Sequence, residues 1–181
     1  CVGDEMSIVE ISAERPFRVA VITLSDKGSK GEREDKSGPF IESIMKENGY
    51  DVVEAIILPD EQSLIEKELI RFSDGRQVDL ILTTGGTGFS KRDVTPEATI
   101  AVATRNAPGI AEAIRGYSLQ ITKRAMLSRG ASVLRNNTLI INLPGSPKAV
   151  KESLDVILSE LGHGIGILKG SATECARSSE T

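Results

Sequence analysis

Apolar residues fall into two kinds of segment along this chain. Four runs are almost continuously apolar and rich in β-branched residues, as expected for strands buried on both faces of a parallel sheet. They are Phe17–Leu24, Val52–Leu58, Val78–Thr84 and Thr138–Leu143. Between these runs the apolar residues recur at helical spacing. This order predicts repeated units of a strand followed by a helix, because parallel neighbouring strands need crossover connections.

Turn-forming residues mark the ends of the predicted helices. The predicted helices begin at Ser37-Gly38-Pro39, at Thr95-Pro96-Glu97 with Thr95 as the N-cap, and at Pro108. Asn48-Gly49 closes the first helix, and the helix from Pro108 runs to about Ala125. The second helix contains Leu64–Ile70, and the last contains Ser153–Leu161. The predicted fold class is therefore α/β: a single-domain, three-layer α/β/α fold with a mostly parallel sheet.

The length of 181 residues and the apolar fraction of 39% suit one compact domain. We expect this domain to span residues 16–170. Residues 1–15 are predicted to be an N-terminal extension that is disordered or not native, and residues 171–181 a flexible C-terminal tail.

Charge and residue usage exclude several functions. The formal net charge of −4, from 22 basic and 26 acidic residues, argues against nucleic acid as a partner. Cys1 and Cys175 lack the close spacing of a zinc site. His163 stands between two glycines, which favours a turn after a helix and a structural role. No apolar run approaches the ~20 residues that cross a bilayer, and the first residues lack a signal-peptide pattern. We expect a cytoplasmic protein.

Polar loops follow each of the four predicted strands. Because ligands of open α/β sheets bind beyond the carboxyl ends of the strands, these loops are the candidate site. They are Ser25-Asp26, Pro59-Asp60-Glu61, Gly85–Val94 and the segment from Asn142 to Lys148. In a doubly wound sheet the four loops would share one edge and line one pocket.

The loop Gly85-Gly86-Thr87-Gly88 combines a strand exit, three glycines and a nearby helix start, which suits binding of phosphate or another anion. It is not a Walker A loop, and Lys91 stands where a dinucleotide-binding fingerprint needs its third glycine. Tight-turn geometry alone is the other explanation for these glycines. The adjoining Lys91-Arg92-Asp93 favours ligand binding, since cations hold phosphates and a carboxylate holds a metal.

Asp60 and Asp93 are the carboxylates chosen for Mg²⁺, since both follow strands on the expected ligand edge. Asp60 has a structural alternative as the N-cap of the next helix. Asp93 has another, as a loop carboxylate paired with Arg92 or Arg115. Asp26 is a third candidate.

The segment Asn142 to Lys148 repeats the arrangement of a strand, a Pro/Gly turn and a helix. Its backbone N–H groups, with Ser146 and Lys148, could bind a second anion or the polar edge of a heterocycle. A rigid turn with proline at the helix start is the structural alternative. Ser128 and Arg129, just after the long helix, could add a hydroxyl and a cation.

Two segments, Leu82–Ala98 and Leu139–Lys148, strongly resemble the signature segments of the MogA/MoaB family of molybdenum-cofactor biosynthesis proteins. The resemblance covers roughly Arg18 to Leu168. It includes Ser25-Asp26, Leu58–Gln62 and Ser128–Gly130. Ordered matches at several separate loops are far more specific than one glycine motif.

The resemblance implies a homotrimer with a mostly parallel sheet and, in its adenylyltransferase members, activation of molybdopterin with Mg-ATP and release of pyrophosphate. It implies catalytic, metal-holding aspartates at Asp60 and Asp93. Together with the place of each residue in the loops, the resemblance assigns nucleotide and phosphate binding to Gly85, Gly86, Thr87, Gly88, Lys91 and Arg92. It assigns pterin binding to Ser25, Asp26, Ser128, Arg129, Asn142, Pro144, Gly145 and Ser146. The attacking phosphate monoester is mostly dianionic at neutral pH, so no general base is required.

Three rival interpretations stay open at this point. A MoaB-type paralogue would bind molybdopterin with little adenylation, although both aspartates are present. A domain of a molybdenum insertase or of a pyridine-nucleotide salvage enzyme would usually stand within a longer chain. A bare trimeric scaffold would not need so many ligand-suited loops. A molybdenum insertase is also the expected downstream partner of an active enzyme.

Overall fold

A computed structural model describes residues 15–170 of the chain. The strands are β1 (Arg18–Leu24), β2 (Asp51–Leu58), β3 (Leu80–Thr84), β4 (Arg105–Asn106), β5 (Ser132–Arg135) and β6 (Thr138–Leu143). The α-helices are α1 (Asp26–Ser29), α2 (Ser37–Glu47), α3 (Gln62–Ile70), α4 (Thr95–Ala101), α5 (Pro108–Ile121) and α6 (Pro147–Leu168). A π-helical turn (Arg71–Gly75) follows α3, and a 3₁₀-helix (Lys123–Leu127) follows α5. The expectations for residues 1–14 and 171–181 lie outside the described residues.

The six strands form one sheet in the order β2-β1-β3-β6-β5-β4. The four strands predicted from the apolar pattern are parallel neighbours at one side of this sheet. The pattern missed β4 and β5: β5 pairs antiparallel with β6, and β4 pairs antiparallel with β5. The prediction of a mostly parallel sheet is confirmed.

Helices cover both faces of the sheet, because strand residues alternate between two apolar layers. Val21 and Leu82 pack with residues of α2, α5 and α6 on one face. Ile22 and Ile81 pack with residues of α3 and α4 on the other. The predicted three-layer α/β/α architecture is therefore correct. Among residues 15–170, no helix is both long and apolar enough to span a membrane.

Three local predictions are wrong. Thr95 is the first residue of α4 rather than its N-cap, and its hydroxyl donates to Gly85 O at 3.0 Å. Helix α5 ends at Ile121, because Thr122 adopts an extended conformation and its side chain caps the 3₁₀-helix instead. His163 lies exposed within α6 rather than in a turn, since the helix continues through the glycines on either side of it to Leu168.

Candidate active site

The loops that follow the parallel strands meet at one edge of the sheet. Ser25 N–H donates to Leu58 O at 2.9 Å, which joins the loops after β1 and β2. Gly85 N–H donates to Leu143 O at 3.2 Å, and Thr84 Oγ1 donates to Pro144 O at 2.6 Å, which joins the loops after β3 and β6. The edge predicted to carry the ligands is therefore formed by contacts between these loops.

The backbone of the loop after β3 requires its first two glycines. Gly85 and Gly86 have φ angles of +97° and +69°, in the left-handed region that side chains disfavour. A Cβ on Gly85 would lie 2.6 Å from Leu24 O, and one on Gly86 would lie 2.3 Å from Thr95 Oγ1. These glycines let the loop pass between β1 and α4, so tight packing accounts for part of the motif.

The two chosen carboxylates flank this loop. A Cβ on Gly86 would lie 3.1 Å from Asp60 Oδ1, and one on Gly88 would lie 3.0 Å from Asp93 Oδ2. The carboxylates are close enough for the charge of Asp93 to raise the pKa of Asp60. Asp60 and Asp93 therefore stand beside alternate residues of one glycine-rich loop.

Asp60 exchanges two hydrogen bonds with Asp26 and does not cap α3. Asp60 Oδ2 accepts a hydrogen bond from Asp26 N–H at 3.1 Å, and Asp26 Oδ1 accepts one from Asp60 N–H at 3.0 Å. Glu61 is the N-cap residue of α3, and its side chain makes no capping hydrogen bond. The structural alternative for Asp60 is therefore wrong: its carboxylate serves the neighbouring loop.

Burial raises the pKa of the half-buried Asp60 above its usual range. The hydrogen bond from Asp26 N–H opposes this rise, and the negative charges of Asp26 and Asp93 add to it. A cation placed between Asp60 and Asp93 would relieve this unfavourable electrostatic environment. The fold therefore holds Asp60 where its negative charge is costly in the absence of a cation.

Arg92 forms a bidentate ion pair with Asp26. Arg92 Nε and Nη2 donate to the two carboxylate oxygens of Asp26, each at 2.9 Å. The hydrogen bond from Arg92 lowers the pKa of Asp26 to about 2, with a further contribution from the Asp60 N–H. In this conformation the guanidinium of Arg92 and the carboxylate of Asp26 neutralise each other's charge. Neighbouring Lys91 is exposed, and within the described part of the chain it makes no ion pair.

Asp93 is held in a short turn. Its Oδ2 accepts a hydrogen bond from Ser90 N–H, and its own N–H donates to Ser90 O, both at 3.0 Å. The alternative pairings of Asp93 are wrong, since Arg92 binds Asp26 and Arg115 donates to Ser128 O and Gly130 O at 3.0 and 3.4 Å. Asp93 Oδ2 is thus occupied by a hydrogen bond within its own turn.

Two cavities are each lined by residues from the loops after both β3 and β6. The first has a volume of ≈310 Å³, and its lining includes Thr87, Gly88, Arg115, Ser128, Asn142 and Pro144. The second has a volume of ≈570 Å³, and its lining includes Ser25, Arg33, Lys36, Gly85, Gly145 and Ser146. The residues expected at the pterin are thus divided between two cavities. Asp26, Asp60, Asp93, Gly86, Lys91, Arg92 and Arg129 line neither cavity.

Sequence reasoning missed the basic residues of these cavities. Arg115 and Arg124 line the first cavity, and Arg33 and Lys36 line the second. Arg33 and Lys36 lie in the loop just before the Ser37 helix start, so their position before a helix on the ligand edge was a usable signal. Arg115 lies in the middle of α5 and Arg124 in the 3₁₀-helix that follows, where no sequence motif marks them.

Asn142 is engaged inside the protein rather than directed at a ligand. Its Nδ2 donates to Thr83 Oγ1 at 3.0 Å and Thr99 Oγ1 at 2.9 Å, and its Oδ1 accepts from Ala131 N–H at 3.0 Å. The residue is 4% exposed. The carboxamide thus supports the cavity wall and ties β6 to β3, α4 and the segment before β5.

The arrangement fits a magnesium–phosphate site better than an all-protein metal cage. The described residues contain no group of three or more His, Cys, Asp or Glu side chains that could hold a metal. Mg²⁺ usually takes only one or two carboxylates and completes its shell with water and substrate phosphates. Asp60 and Asp93, placed beside a glycine-rich loop, match that requirement.

Comparison with known proteins identifies the family of this chain. The family described as "Probable molybdopterin binding domain" matches residues 20–163. The molybdopterin adenylyltransferase of Helicobacter pylori (strain ATCC 700392 / 26695) is 41% identical over 157 residues, which cover 86% of this chain and 89% of that protein. The molybdopterin adenylyltransferase of Escherichia coli K12 is also 41% identical, over 82% of this chain and 80% of that protein.

Among solved structures, the molybdopterin biosynthesis enzyme MoaB of Thermus thermophilus superposes with a TM-score of 0.81 and 44% identity. The match covers 85% of this chain and 97% of the Thermus chain. A MogA structure gives a TM-score of 0.79 at 34% identity, over 83% and 99% of the two chains. This chain therefore belongs to the molybdopterin-binding domain family of molybdenum-cofactor biosynthesis proteins, which includes MogA and MoaB.

Proposed function

We propose that this protein is a molybdopterin adenylyltransferase that joins the phosphate of molybdopterin to AMP taken from Mg-ATP. One observation carries the proposal: Asp60 and Asp93 flank a glycine-rich loop that itself lines both cavities. A loop shared by two cavities and bordered by two carboxylates suits the transfer of an adenylyl group from one substrate to the other. The names of the 41% identical relatives support molybdopterin as the acceptor of an adenylyl group.

We assign the pterin to the first cavity. Its walls combine apolar groups such as Ile114 and Leu127 with the polar Ser128 and Thr87. A flat heterocycle with polar edges fits such a lining, since specific sites pair apolar walls with a few polar groups. Arg115 and Arg124 in the same lining would attract the phosphate that the pterin carries.

The ATP phosphates are assigned to the second cavity. Its exposed Arg33 and Lys36 supply positive charge, and Ser146 caps α6 by accepting a hydrogen bond from Ala149 N–H at 3.2 Å. The N-terminus of this long helix favours anions. Ser25, Gly145 and Ser146 are therefore assigned to nucleotide binding in place of the pterin binding implied by the resemblance. Asp26 is assigned to the support of Asp60 and Arg92.

The chemistry needs alignment more than acid–base catalysis. An oxygen of the molybdopterin phosphate forms a bond to the α-phosphorus of ATP, and the bond from that phosphorus to the bridging oxygen of pyrophosphate breaks. The attacking phosphate is mostly dianionic at pH 7, because its second pKa is about 6. The loop of Gly85 to Gly88 holds the two phosphates in reach of each other, which removes much of the entropic barrier. Mg²⁺ on Asp60 and Asp93 would neutralise charge on the nucleotide phosphates.

Incubation of the purified protein with Mg-ATP and molybdopterin tests this function. Stoichiometric release of pyrophosphate and formation of the adenylated pterin are expected. A protein that binds molybdopterin but releases no pyrophosphate would be the MoaB-type binding paralogue. The names of the curated relatives favour the enzyme over that paralogue.

We further propose that the protein is a homotrimer and passes its product to a molybdenum insertase. Both features are implied by resemblance to the MogA/MoaB family. An adenylated pterin is an activated compound, so direct transfer to the next enzyme would protect it from hydrolysis. The need for ATP favours a cytoplasmic location.

A further inference from the structure

Arg129 holds the segment between the glycine-rich loop and α4 through four groups. Its backbone N–H donates to Thr87 O at 2.8 Å, and its Nε donates to Gly88 O at 2.8 Å. Its Nη2 donates to Asp93 O at 2.8 Å, and its Nη1 donates to both carboxylate oxygens of Glu97 at 2.6 and 2.9 Å. One residue therefore contacts the loop at three points and α4 at a fourth.

These contacts fix both ends of the segment that carries Asp93. Gly88 and Asp93 are tied to the same guanidinium group, and Ser90 and Asp93 close the turn between them with two hydrogen bonds. The other anchor of this segment is the ion pair of Arg92 with Asp26, and Phe89, between Gly88 and Arg92, is 70% exposed. The position of the Asp93 carboxylate consequently depends on Arg129.

Arginine suits this position better than lysine does. A guanidinium is planar and presents donors in a fixed fork, so it can reach two carbonyls and a carboxylate at once. An ammonium group on lysine would keep the charge opposite Glu97 but lose part of this geometry. Because Nε, Nη1 and Nη2 all have protein acceptors, the guanidinium has little capacity left for a substrate anion.

We propose that Arg129 is a positioning residue for the adenylyl transfer, which holds Asp93 beside the glycine-rich loop and opposite Asp60, and does not bind the pterin. This inference rests on the proposed function. The adjoining Ser128 lines the first cavity, and Arg115 holds the Ser128 carbonyl at 3.0 Å. Consecutive residues thus form the pterin cavity and support a catalytic carboxylate.

Kinetics of Arg129→Gln and Arg129→Lys test the proposal. In Arg129→Gln, kcat should fall about 10²-fold, the scale of a small misplacement of a reacting group. The Mg²⁺ concentration for half-maximal rate should rise, while the KM for molybdopterin stays within about twofold because no pterin contact is lost. Arg129→Lys should recover part of kcat. A large rise in KM with unchanged kcat would instead show that Arg129 binds the pterin, and would overturn the proposal.

Arg135→Gln is the matched control. Arg135 likewise donates to a backbone carbonyl, that of Val102 at 2.8 Å, and pairs with Asp74 at 2.7 Å, but it lies in β5 away from both cavities. It should lose stability and keep kcat. If Arg129→Gln lowers the unfolding midpoint as Arg135→Gln does and keeps wild-type kcat and Mg²⁺ dependence, Arg129 is merely structural and the proposal fails.

Two further measurements keep the test decisive. If Arg129→Gln does not fold, Glu97→Gln removes the charge and one of the two acceptor oxygens opposite Nη1 and should lower kcat by a smaller factor. Unchanged kcat would count against the proposal. Hydrogen exchange of residues 87–93 reads the loop without any assay of activity. It should accelerate in Arg129→Gln and stay unchanged in Arg135→Gln. If the wild-type protein forms no adenylated pterin, the proposed function fails, whereas unchanged exchange in Arg129→Gln refutes the positioning role alone.

Discussion

Asp26 and Asp60 each accept a hydrogen bond from the backbone N–H of the other, at 3.0 and 3.1 Å. This reciprocal pair joins the loops after β1 and β2 and leaves Asp60 Oδ1 beside Gly86. Arg92 balances the charge of Asp26 on its outer side. The electrostatic cost of the arrangement falls on Asp60, because burial and the charges of Asp26 and Asp93 all raise its pKa.

Asp60→Asn should stabilise the fold and abolish most of the activity. The pKa of Asp60 is raised by burial, so the fold favours the protonated form. This contribution to stability is fully present below the unfolded pKa near 3.8 and is lost as the pH rises through the higher folded pKa. Asparagine stays neutral and can still accept the Asp26 N–H. Urea unfolding at pH 7 should therefore show a higher free energy of unfolding than wild type, a difference that shrinks towards pH 4.

Turnover of Asp60→Asn should fall at least ~10²-fold, since a key electrostatic contact is lost. A less stable variant with normal pyrophosphate release would instead give Asp60 a structural role alone.

Asp93→Asn should cut turnover by at least ~10²-fold and leave the fold intact. The carboxamide oxygen can replace Oδ2 as acceptor for Ser90 N–H, so the turn is kept. Stability should stay within about 0.5 kcal/mol of wild type. Asp155→Asn is the control, because Asp155 is an exposed acid paired with Lys151 on α6. Pyrophosphate release near the wild-type rate in Asp93→Asn would remove Asp93 from the catalytic site.

Lys91→Ala should weaken ATP binding moderately, by no more than about tenfold. Lys91 is exposed, and exposed charge contacts contribute only about 0–1 kcal/mol. Most of the phosphate charge should be met by Arg33, Lys36 and the backbone of the glycine-rich loop. Calorimetric titration with Mg-ATP measures the effect. A folded Lys91→Ala protein with no detectable ATP binding would contradict it.

Asn142→Ala should destabilise the protein by about 3 kcal/mol. The substitution leaves Thr83 Oγ1, Thr99 Oγ1 and Ala131 N–H without their partner, and buried polar groups that lose a partner cost about 1–3 kcal/mol each. The exposed Asn137→Ala is the control and should change stability by less than about 0.5 kcal/mol. Chemical denaturation compares the two. Equal, small effects would show that the Asn142 network is energetically unimportant.

Light scattering at micromolar concentration should give three times the chain mass of 19.4 kDa. The prediction comes from the family resemblance. A monomer mass under these conditions would refute the trimer.

The sequence was sufficient to predict the central strands and the edge of the sheet that carries the candidate site. β1, β3 and β6 are buried on both faces, so their apolar character does not depend on which neighbour they contact. It was insufficient for β4 and β5. β4 has only two residues, both exposed, and β5 has two buried residues followed by two partly buried ones. β5 is a strand because it pairs with β6, and β4 because it pairs with β5, and both pairings are tertiary effects.

The sequence was enough to predict which loops form the candidate site, but not which residues pair with each other there. Asp60 and Asp93 could be chosen because each follows a strand. The engagement of Arg92 by Asp26, 66 positions away, and of Arg129 by Glu97, 32 positions away, depends on how loops meet in space. Local sequence gives no sign of such pairs, so both arginines resembled free ligand-binding cations.

The pairing of β3 with β6 also determines the stage of folding at which the two cavities form. Thr84 and Pro144 meet although they lie 60 positions apart, and closing a loop of that length costs entropy before any contact compensates it. Both cavities need residues that follow β6 in the chain, Pro144 in the first and Gly145 in the second. A chain folded only as far as β3 therefore lacks both of the cavities proposed for the substrates, and these cavities form only with the last central strand.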